Sequence, residues 1–313
     1  GLKDEQIRAL RGSRMAMVPQ DPLTSLTYHM KVGPQVDEIL RIHQELDAKG
    51  ARLHTLKLFA GTNLPEPEKI YHRYPHENSG GQRQRVVIAG ALACEPDLLI
   101  LDEPTTALDT TTEMQVLKLV KELRDRMGTA LIYITHDLTL TDYMCENVLV
   151  MLNGKVVERG QSSSVFSAPQ TDYGKALVAA IPRVDAKIAT PAQPNKAKDG
   201  APLLKVEHLS FRYPSRWSVS ALFNPVEEPL AVDDVSFELP RGETLGLVGE
   251  SGSGKSTIAN IIVGLSAPTS GAITFDGAAL GATDRHRSPE LKRRIQIIFQ
   301  DPLSSLNPRR RIE

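Results

Sequence analysis

The sequence predicts an α/β protein in which a mostly parallel sheet, flanked by helices, is joined to an antiparallel β element. Short apolar runs at 15–20, 98–103 and 130–136 alternate with longer helical patterns, which is typical of parallel strands connected by helices. A further apolar run at 245–249 leads through a glycine-rich loop into a helix. Open sheets of this class bind their ligands where the strands end.

Two helices and two more strands complete the predicted elements. Helices are predicted at 82–94 and 111–127, where apolar residues recur at helical spacing. The segments 203–213 and 230–239 are predicted as strands of the antiparallel element. The polar, proline-bearing stretch 214–229 between them is predicted to be a loop.

Composition excludes several classes of protein. The 313 residues are 41% hydrophobic and 24% charged, which suits about two folded domains and excludes disorder of the whole chain. No apolar run is long enough to cross a membrane and the first residues lack a signal-peptide core, so we expect a cytosolic chain. A net charge of -1 gives no overall field for recruiting nucleic acid. Cys94 and Cys145 have no metal-binding spacing, which argues against zinc and iron–sulfur sites.

One segment of the sequence occurs twice. Residues 15–26 read MAMVPQDPLTSL and residues 295–306 read IQIIFQDPLSSL. The two copies lie too far apart for a solenoid repeat, so they indicate two copies of one domain type. Gln20 in the first copy corresponds to Gln300 in the second.

A linker is predicted between the two copies. Residues 182–202 lack aromatic side chains and carry repeated prolines, as flexible linkers do. We therefore expect a first part at 1–181 and a second part at 203–313.

The strongest motif is the glycine-rich loop after 245–249. Its glycines let backbone amides turn towards phosphate oxygens at a helix N-terminus. Lys255 is expected to neutralise the β and γ phosphates, and Ser256 to offer its hydroxyl to Mg²⁺ (magnesium). The alternative is a glycine-rich turn with no ligand. The loop consists of Gly249, Glu250, Ser251, Gly252, Ser253, Gly254, Lys255, Ser256 and Thr257.

An acidic pair ends the apolar run 98–101. Asp102 is a candidate ligand of hydrated magnesium, and Glu103 is a candidate base that polarises the water attacking the γ phosphate. Acidic residues end many strands, so an incidental role for the pair stays open on this pattern alone.

The segment Ser79, Gly80, Gly81 and Gln82 precedes a predicted helix with the spacing of a capping box. A purely structural role is therefore available. Two glycines in a first helical turn lower helix stability and expose backbone amides, which also suits the docking of an anion.

Three polar residues follow predicted strands. His136 follows directly after the run 131–135, and Gln20 and Gln300 each precede an Asp-Pro turn. The glutamine amides could reach magnesium or orient water without a change of charge. Each residue alone could equally be incidental.

Together these motifs resemble the nucleotide-binding subunits of ABC transporters over nearly the whole chain except the linker. The resemblance implies a P-loop ATPase fold of the ABC type, with an antiparallel β subdomain and a helical signature subdomain, and ATP and Mg²⁺ as ligands. It also implies that Tyr213 stacks on adenine and that His136 is the switch histidine. The other implied assignments are Walker A at 249–257, Walker B at 98–103, the signature at 79–82, the Q-loop at Gln20 and Gln300, and the D-loop at 107–109.

Three segments are similar to the dipeptide, oligopeptide, nickel and glutathione importers of that family, in which fused twin ATPases occur. They are the repeated Gln-Asp-Pro-Leu motif, residues 74–77 and residues 173–177. This likeness implies transmembrane permease subunits, a solute-binding protein, a second ATPase domain or copy, and a place at the cytoplasmic face of the inner membrane. Nucleic acid is not an expected partner.

The motif order leaves two arrangements open. No Walker A motif occurs in 1–78 and no signature follows Thr257, so the chain is expected to be cut at both ends, with the rear of one ATPase domain followed by the front of the next. The two parts either belong to separate sites or dock as one permuted domain. We expect the second, with 131–135 and 245–249 paired in one ladder.

Three functions compete at this stage. The first is an ATPase that energises an importer. The second is a non-transport ABC ATPase of DNA repair or translation, which the balanced charge and the importer-like segments disfavour. The third is an ATP-binding module without turnover.

Overall fold

The computed structural model describes residues 3–106, 108–181, 202–213, 229–300 and 310. The chain divides into two compact units, residues 1–186 and 187–313. The boundary falls within the predicted linker, of which residues 182–201 lie outside the described part.

The first unit contains the predicted parallel sheet. Strands β1 (Met15–Val18), β2 (Leu98–Asp102) and β3 (Ala130–Ile134) pair in parallel in that order. Each predicted run is one or two residues longer than its strand. Gln20, Glu103 and His136 therefore follow the ends of the strands.

Helices cover one face of this sheet. The predicted helices are confirmed as α6 and α7, with ends that differ by at most two residues. The helices of the first unit are α1 (Asp4–Leu10), α2 (Pro22–Ser25), α3 (Val32–His43), α4 (Ala48–Gly61), α5 (Pro67–Tyr71), α6 (Gly80–Leu92), α7 (Thr110–Met127), α8 (Leu138–Met144), α9 (Ser162–Ser167) and α10 (Asp172–Ala179), with a 3₁₀ turn at Pro75–Glu77.

The core of the first unit lies between the sheet and these helices. Alternate strand residues such as Val18, Leu99 and Leu101 are buried against α6 and α7. Helices α3, α4 and α5 pack on one another, and α3 and α4 also pack on α6. This group corresponds to the expected helical signature subdomain.

An antiparallel hairpin, followed by α9 and α10, lies near the end of the first unit. Strands β4 (Asn147–Leu152) and β5 (Lys155–Gln161) pair around a turn at Asn153 and Gly154, and both turn residues have positive φ. Val148 and Val150 pack on α9 through Val165.

The second unit is the antiparallel β element with one long helix. The four-stranded sheet has the order β7 (Val232–Leu239), β6 (Leu204–Phe211), β8 (Ser270–Phe275) and β9 (Ala278–Ala279). Helix α11 (Lys255–Val263) packs Ile258 and Ile261 into the core of this unit. A 3₁₀ turn (Asp284–His286) and α12 (Pro289–Arg294) follow. The prediction for 203–213 and 230–239 is confirmed.

Two strand predictions in the second unit are wrong. Neither the run 245–249 nor the apolar run that precedes Gln300 forms a strand, and Val248 and Ile298 are 93% and 98% exposed. A strand requires a partner for its backbone groups. In the first unit, β1 has β2 as its partner. Among the described residues of the second unit, no strand pairs with either run in this way. Within the first unit β3 pairs with β2, and the expected ladder between 131–135 and 245–249, which would join the two units, stays a prediction.

A search of the described residues finds no helix with the length and apolar content needed to cross a membrane.

Candidate nucleotide site

Three predicted site residues meet at the carboxyl edge of the parallel sheet. Gln20 Nε2 donates to Glu103 Oε2 at 2.7 Å. His136 Nδ1 lies 2.9 Å from Glu103 Oε1. The carboxyl ends of parallel strands share one edge, and this places residues from β1, β2 and β3 around one carboxylate.

The two titratable groups stabilise each other's charged forms. The hydrogen bond from His136 lowers the pKa of Glu103, with smaller contributions from Thr106 and Gln20. The same bond raises the pKa of His136 above 6.5. A negative carboxylate can orient a water molecule, and the protonated imidazole beside it can hold a proton near an anionic ligand.

The backbone directs the Glu103 side chain. Glu103 has φ +44°, a left-handed conformation that is uncommon for glutamate. Its amide donates to Ile134 O at 2.9 Å, so the chain stays attached to the edge of β3 while the side chain turns out of the sheet. Strain of this kind persists where surrounding contacts hold it.

Sequence reasoning missed Thr106 as part of this group. Its hydroxyl donates to Glu103 Oε2 at 3.0 Å. The signal that could have identified it is the spacing of three residues within the turn after β2, which returns a short hydroxyl side chain towards the carboxylate.

Asp102 lies beside this group without joining it. It is the last residue of β2, paired in register with Ile134 and partly buried. Successive residues of a strand point to opposite faces, so the magnesium role of Asp102 stays a prediction.

The signature segment forms the N-terminus of α6. Ser79 is the N-cap and accepts from the Gln82 amide at 3.3 Å, while Gln82 Oε1 accepts from the Ser79 amide at 3.1 Å. This is the predicted capping box. It fixes Gly80 and Gly81 in the first helical turn. In the segment 107–109, the predicted D-loop, Asp109 caps α7, and Ala107 lies outside the described residues.

The glycine-rich loop of the second unit encloses a cation. Lys255 Nζ donates to Gly249 O at 2.7 Å, to Glu250 O at 2.6 Å and to Ser253 Oγ at 3.1 Å. The ammonium group therefore lies within the concave side of the loop, at the start of α11.

The loop has little room for larger residues. Gly252 and Gly254 have φ of +85° and +90°, which favour glycine. A Cβ on Gly254 would lie 2.4 Å from Ala231 O. Glycines of this geometry in front of a helix N-terminus, with a lysine inside the loop, fit a polyphosphate.

Tyr213 lies next to this loop. Its hydroxyl is 3.0 Å from Thr257 Oγ1 on α11, and its ring contacts Phe211 edge-on at 4.9 Å. The side chain is 52% exposed, which leaves the ring accessible to a stacking ligand.

Ser256 and Gln300 are both exposed. Residues 301–309, which follow Gln300, lie outside the described chain. Within the described residues, no group of three or more histidine, cysteine or acidic side chains is placed to hold a metal. Magnesium commonly takes one or two protein oxygens together with substrate phosphates and water, a donor set that Ser256 fits.

A family model described as ABC transporter matches residues 2–106 and 232–313. The chain is 42% identical over 98% of its length to the glutathione import ATP-binding protein GsiA of Escherichia coli strain K12, and 41% identical over 99% to that of Pectobacterium atrosepticum. It spans about half the length (52%) of each relative.

Among solved structures, the chain is similar to the dimeric ATP-binding cassette MJ0796 bound to ADP and Pi. The match covers 51% of this chain and 68% of the MJ0796 chain, with 26% sequence identity and a TM-score of 0.47. The family model covers more than half of the chain, and both relatives are more than 40% identical to it. The fold is an α/β P-loop NTPase fold, and the chain belongs to the ABC transporter family of ATP-binding proteins.

Proposed function

We propose that this chain supplies ATP binding and hydrolysis to an ABC importer of peptides or related small solutes. The observation that carries the proposal is the convergence of Gln20 and His136 on Glu103 at the end of three parallel strands. The relatives named for glutathione import support the importer class.

In this proposal the first unit supplies the hydrolytic group. Glu103 polarises the attacking water, and His136 holds a proton beside the transferred phosphoryl group. Gln20 orients that water, and Asp102 holds hydrated magnesium. The exposed amides at the N-terminus of α6, in segment 79–82, bind phosphate of a nucleotide held by a facing cassette.

The second unit supplies the nucleotide-binding loop. Lys255 leaves its three loop oxygens to neutralise the β and γ phosphates, while the glycine amides bind phosphate oxygens. Ser256 and Gln300 bind magnesium, which neutralises charge on the phosphates when present. Tyr213 stacks on the adenine.

The two units are proposed to belong to successive cassettes. The segment that occurs at both 15–26 and 295–306 supports the rear of one cassette at 1–181, a linker at 182–202 and the front of the next at 203–313. The separate family matches on either side of the linker support the same division.

The proposed partners follow from the importer class. They are transmembrane permease subunits and, through these, a solute-binding protein, with a second ATPase domain or copy across the nucleotide. Such a subunit is peripheral at the cytoplasmic face of the inner membrane.

Calorimetric titration with ATP and magnesium tests the binding role. The chain is expected to bind one ATP, and Lys255→Ala to abolish that binding while Lys118→Ala, on the exposed side of α7, leaves it unchanged. Absence of ATP binding by the unmodified chain would contradict the proposal.

Single-turnover hydrolysis tests the division into cassettes. If Glu103 and Lys255 serve different sites, Glu103→Gln changes hydrolysis of Lys255-bound ATP by less than about twofold. A loss of about 100-fold, the usual effect of removing a general base, would show instead that both residues act on one nucleotide.

A further inference from the structure

A buried arginine closes the end of the helix that follows the phosphate loop. Arg287 is 7% exposed. Its guanidinium donates to Ile262 O at 2.5 Å and to Ile261 O at 3.3 Å, both in the last turn of α11. A third bond reaches Gly281 O at 3.0 Å.

The charge of Arg287 suits this position. Burial lowers the pKa of the guanidinium and Asp284 raises it, but an arginine remains protonated in proteins. The carbonyls at a helix C-terminus carry partial negative charge that a cation stabilises. One guanidinium therefore satisfies three carbonyls and the negative end of α11 together.

The residue after α11 allows this contact. Gly264 has φ +88°, and a Cβ there would lie 2.9 Å from Arg287 Cζ. Gly264 O also accepts from the Asp284 amide at 2.8 Å. The end of α11 is thus joined to segment 281–287 by side-chain and backbone bonds.

The other end of α11 forms the phosphate loop. The helix has nine residues and starts at Lys255, so it is a rod of about 13 Å. Only one face, with Ile258 and Ile261, packs in the core. Fixing the C-terminus limits tilt of the rod and thereby holds the amides and Lys255 at its N-terminus.

We propose that Arg287 is a positioning residue for the phosphate loop, which fixes the direction of α11 so that the loop is preformed for ATP. This inference rests on the proposed role of the loop in ATP binding. Lysine cannot replace this function fully, because one ammonium lacks the fork that reaches both Ile261 and Ile262 and the separate Gly281.

The test compares the chain with Arg287→Met and Arg287→Lys. Arg287→Met is expected to raise the calorimetric Kd for ATP about tenfold or more, and Arg287→Lys to give an intermediate Kd. Two variants serve as controls. Arg294→Met removes an arginine that bonds Asp276 and lies over Phe275. Val206→Ala removes two methyl groups from the same core on strand β6 and leaves the bonds of Arg287 unaltered.

A second measurement needs no nucleotide. The backbone NMR resonances of Gly252 and Gly254 are expected to shift or broaden in Arg287→Met and to stay in place in both controls. An Arg287→Met chain with unchanged loop resonances would overturn the inference whether or not the chain binds ATP. Equal effects in Arg287→Met and Val206→Ala would also overturn it, because general destabilisation would then explain both. If Arg287→Met does not fold, the loop resonances of Arg287→Lys are compared with those of the two controls in the same way, and unchanged resonances in Arg287→Lys would overturn the inference.

Discussion

His136 Nδ1 and Glu103 Oε1 are 2.9 Å apart, and this pair joins the end of β3 to the end of β2. Glu103→Gln removes the negative partner, so the pKa of His136 is expected to fall back towards 6.5. An NMR titration of the His136 ring resonances measures this change. Glu122→Gln, on the exposed side of α7, is the control. A His136 pKa that is the same with and without Glu103 would contradict the pairing.

The same pair predicts how stability depends on pH. His136 has a raised pKa, so its stabilising contribution is complete below about 6.5 and is lost as pH rises through the folded-state pKa. Glu103 has a lowered pKa, so its contribution is present above about 4.5 and is lost as pH falls through the folded-state pKa. The difference in unfolding free energy between the chain and His136→Asn should therefore be largest between about pH 4.5 and 6.5. Urea unfolding across pH measures it, and a difference that does not vary with pH would contradict it.

Two glycines of the loop are expected to respond differently to alanine. Gly252→Ala meets only backbone strain, because no described residue apart from its two chain neighbours has an atom within 4 Å of the added Cβ, and it should lower the unfolding free energy by about 1 kcal/mol. Gly254→Ala adds a clash with Ala231 O and should lower it by about 2–3 kcal/mol. Thermal unfolding of both variants checks this order, which equal midpoints would refute.

Tyr213 should contribute to ATP affinity mainly through its ring. Tyr213→Ala removes stacking worth about 1–3 kcal/mol, whereas Tyr213→Phe removes only the hydroxyl bond to Thr257, worth about 1 kcal/mol. The Kd for ATP, measured by calorimetry, should therefore be lowest for the unmodified chain, higher for Tyr213→Phe and highest for Tyr213→Ala. A Phe variant as weak as the Ala variant would assign the effect to the hydroxyl.

Asn78→Leu is expected to stabilise the chain. Asn78 is 4% exposed, and its Oδ1 has no hydrogen-bond partner among the residues that the structure describes. Its amide donates to Tyr74 O, which also accepts from the Glu77 amide, so Tyr74 O keeps a partner after the substitution. Burying an unpaired polar atom costs about 1–3 kcal/mol, and a gain of about 1 kcal/mol in unfolding free energy is expected. Asn63→Leu, at a surface turn, is the comparison, and a lower midpoint for Asn78→Leu would contradict the assignment.

Sequence patterns located the first-unit site because its residues follow strands. Gln20, Glu103 and His136 each come after an apolar run, and parallel pairing alone brings such positions together. The contacts of Thr106 and Arg287 depend on how turns and helix ends pack, which no periodicity encodes. The run 245–249 has the apolar residues of a strand but does not form one. Strand propensity produces a strand only where another strand is present to pair with it.

The left-handed backbone of Glu103 sets stability against activity at a single position. Glycine would adopt φ +44° without the strain that a side chain brings, and such strain amounts to about 1–3 kcal/mol. Selection for thermal robustness alone would therefore favour glycine there, while the proposed chemistry requires a carboxylate. Engineering that optimises this chain for heat resistance should exclude residue 103 from its choices, because the glycine that relieves this backbone strain would also remove the proposed base.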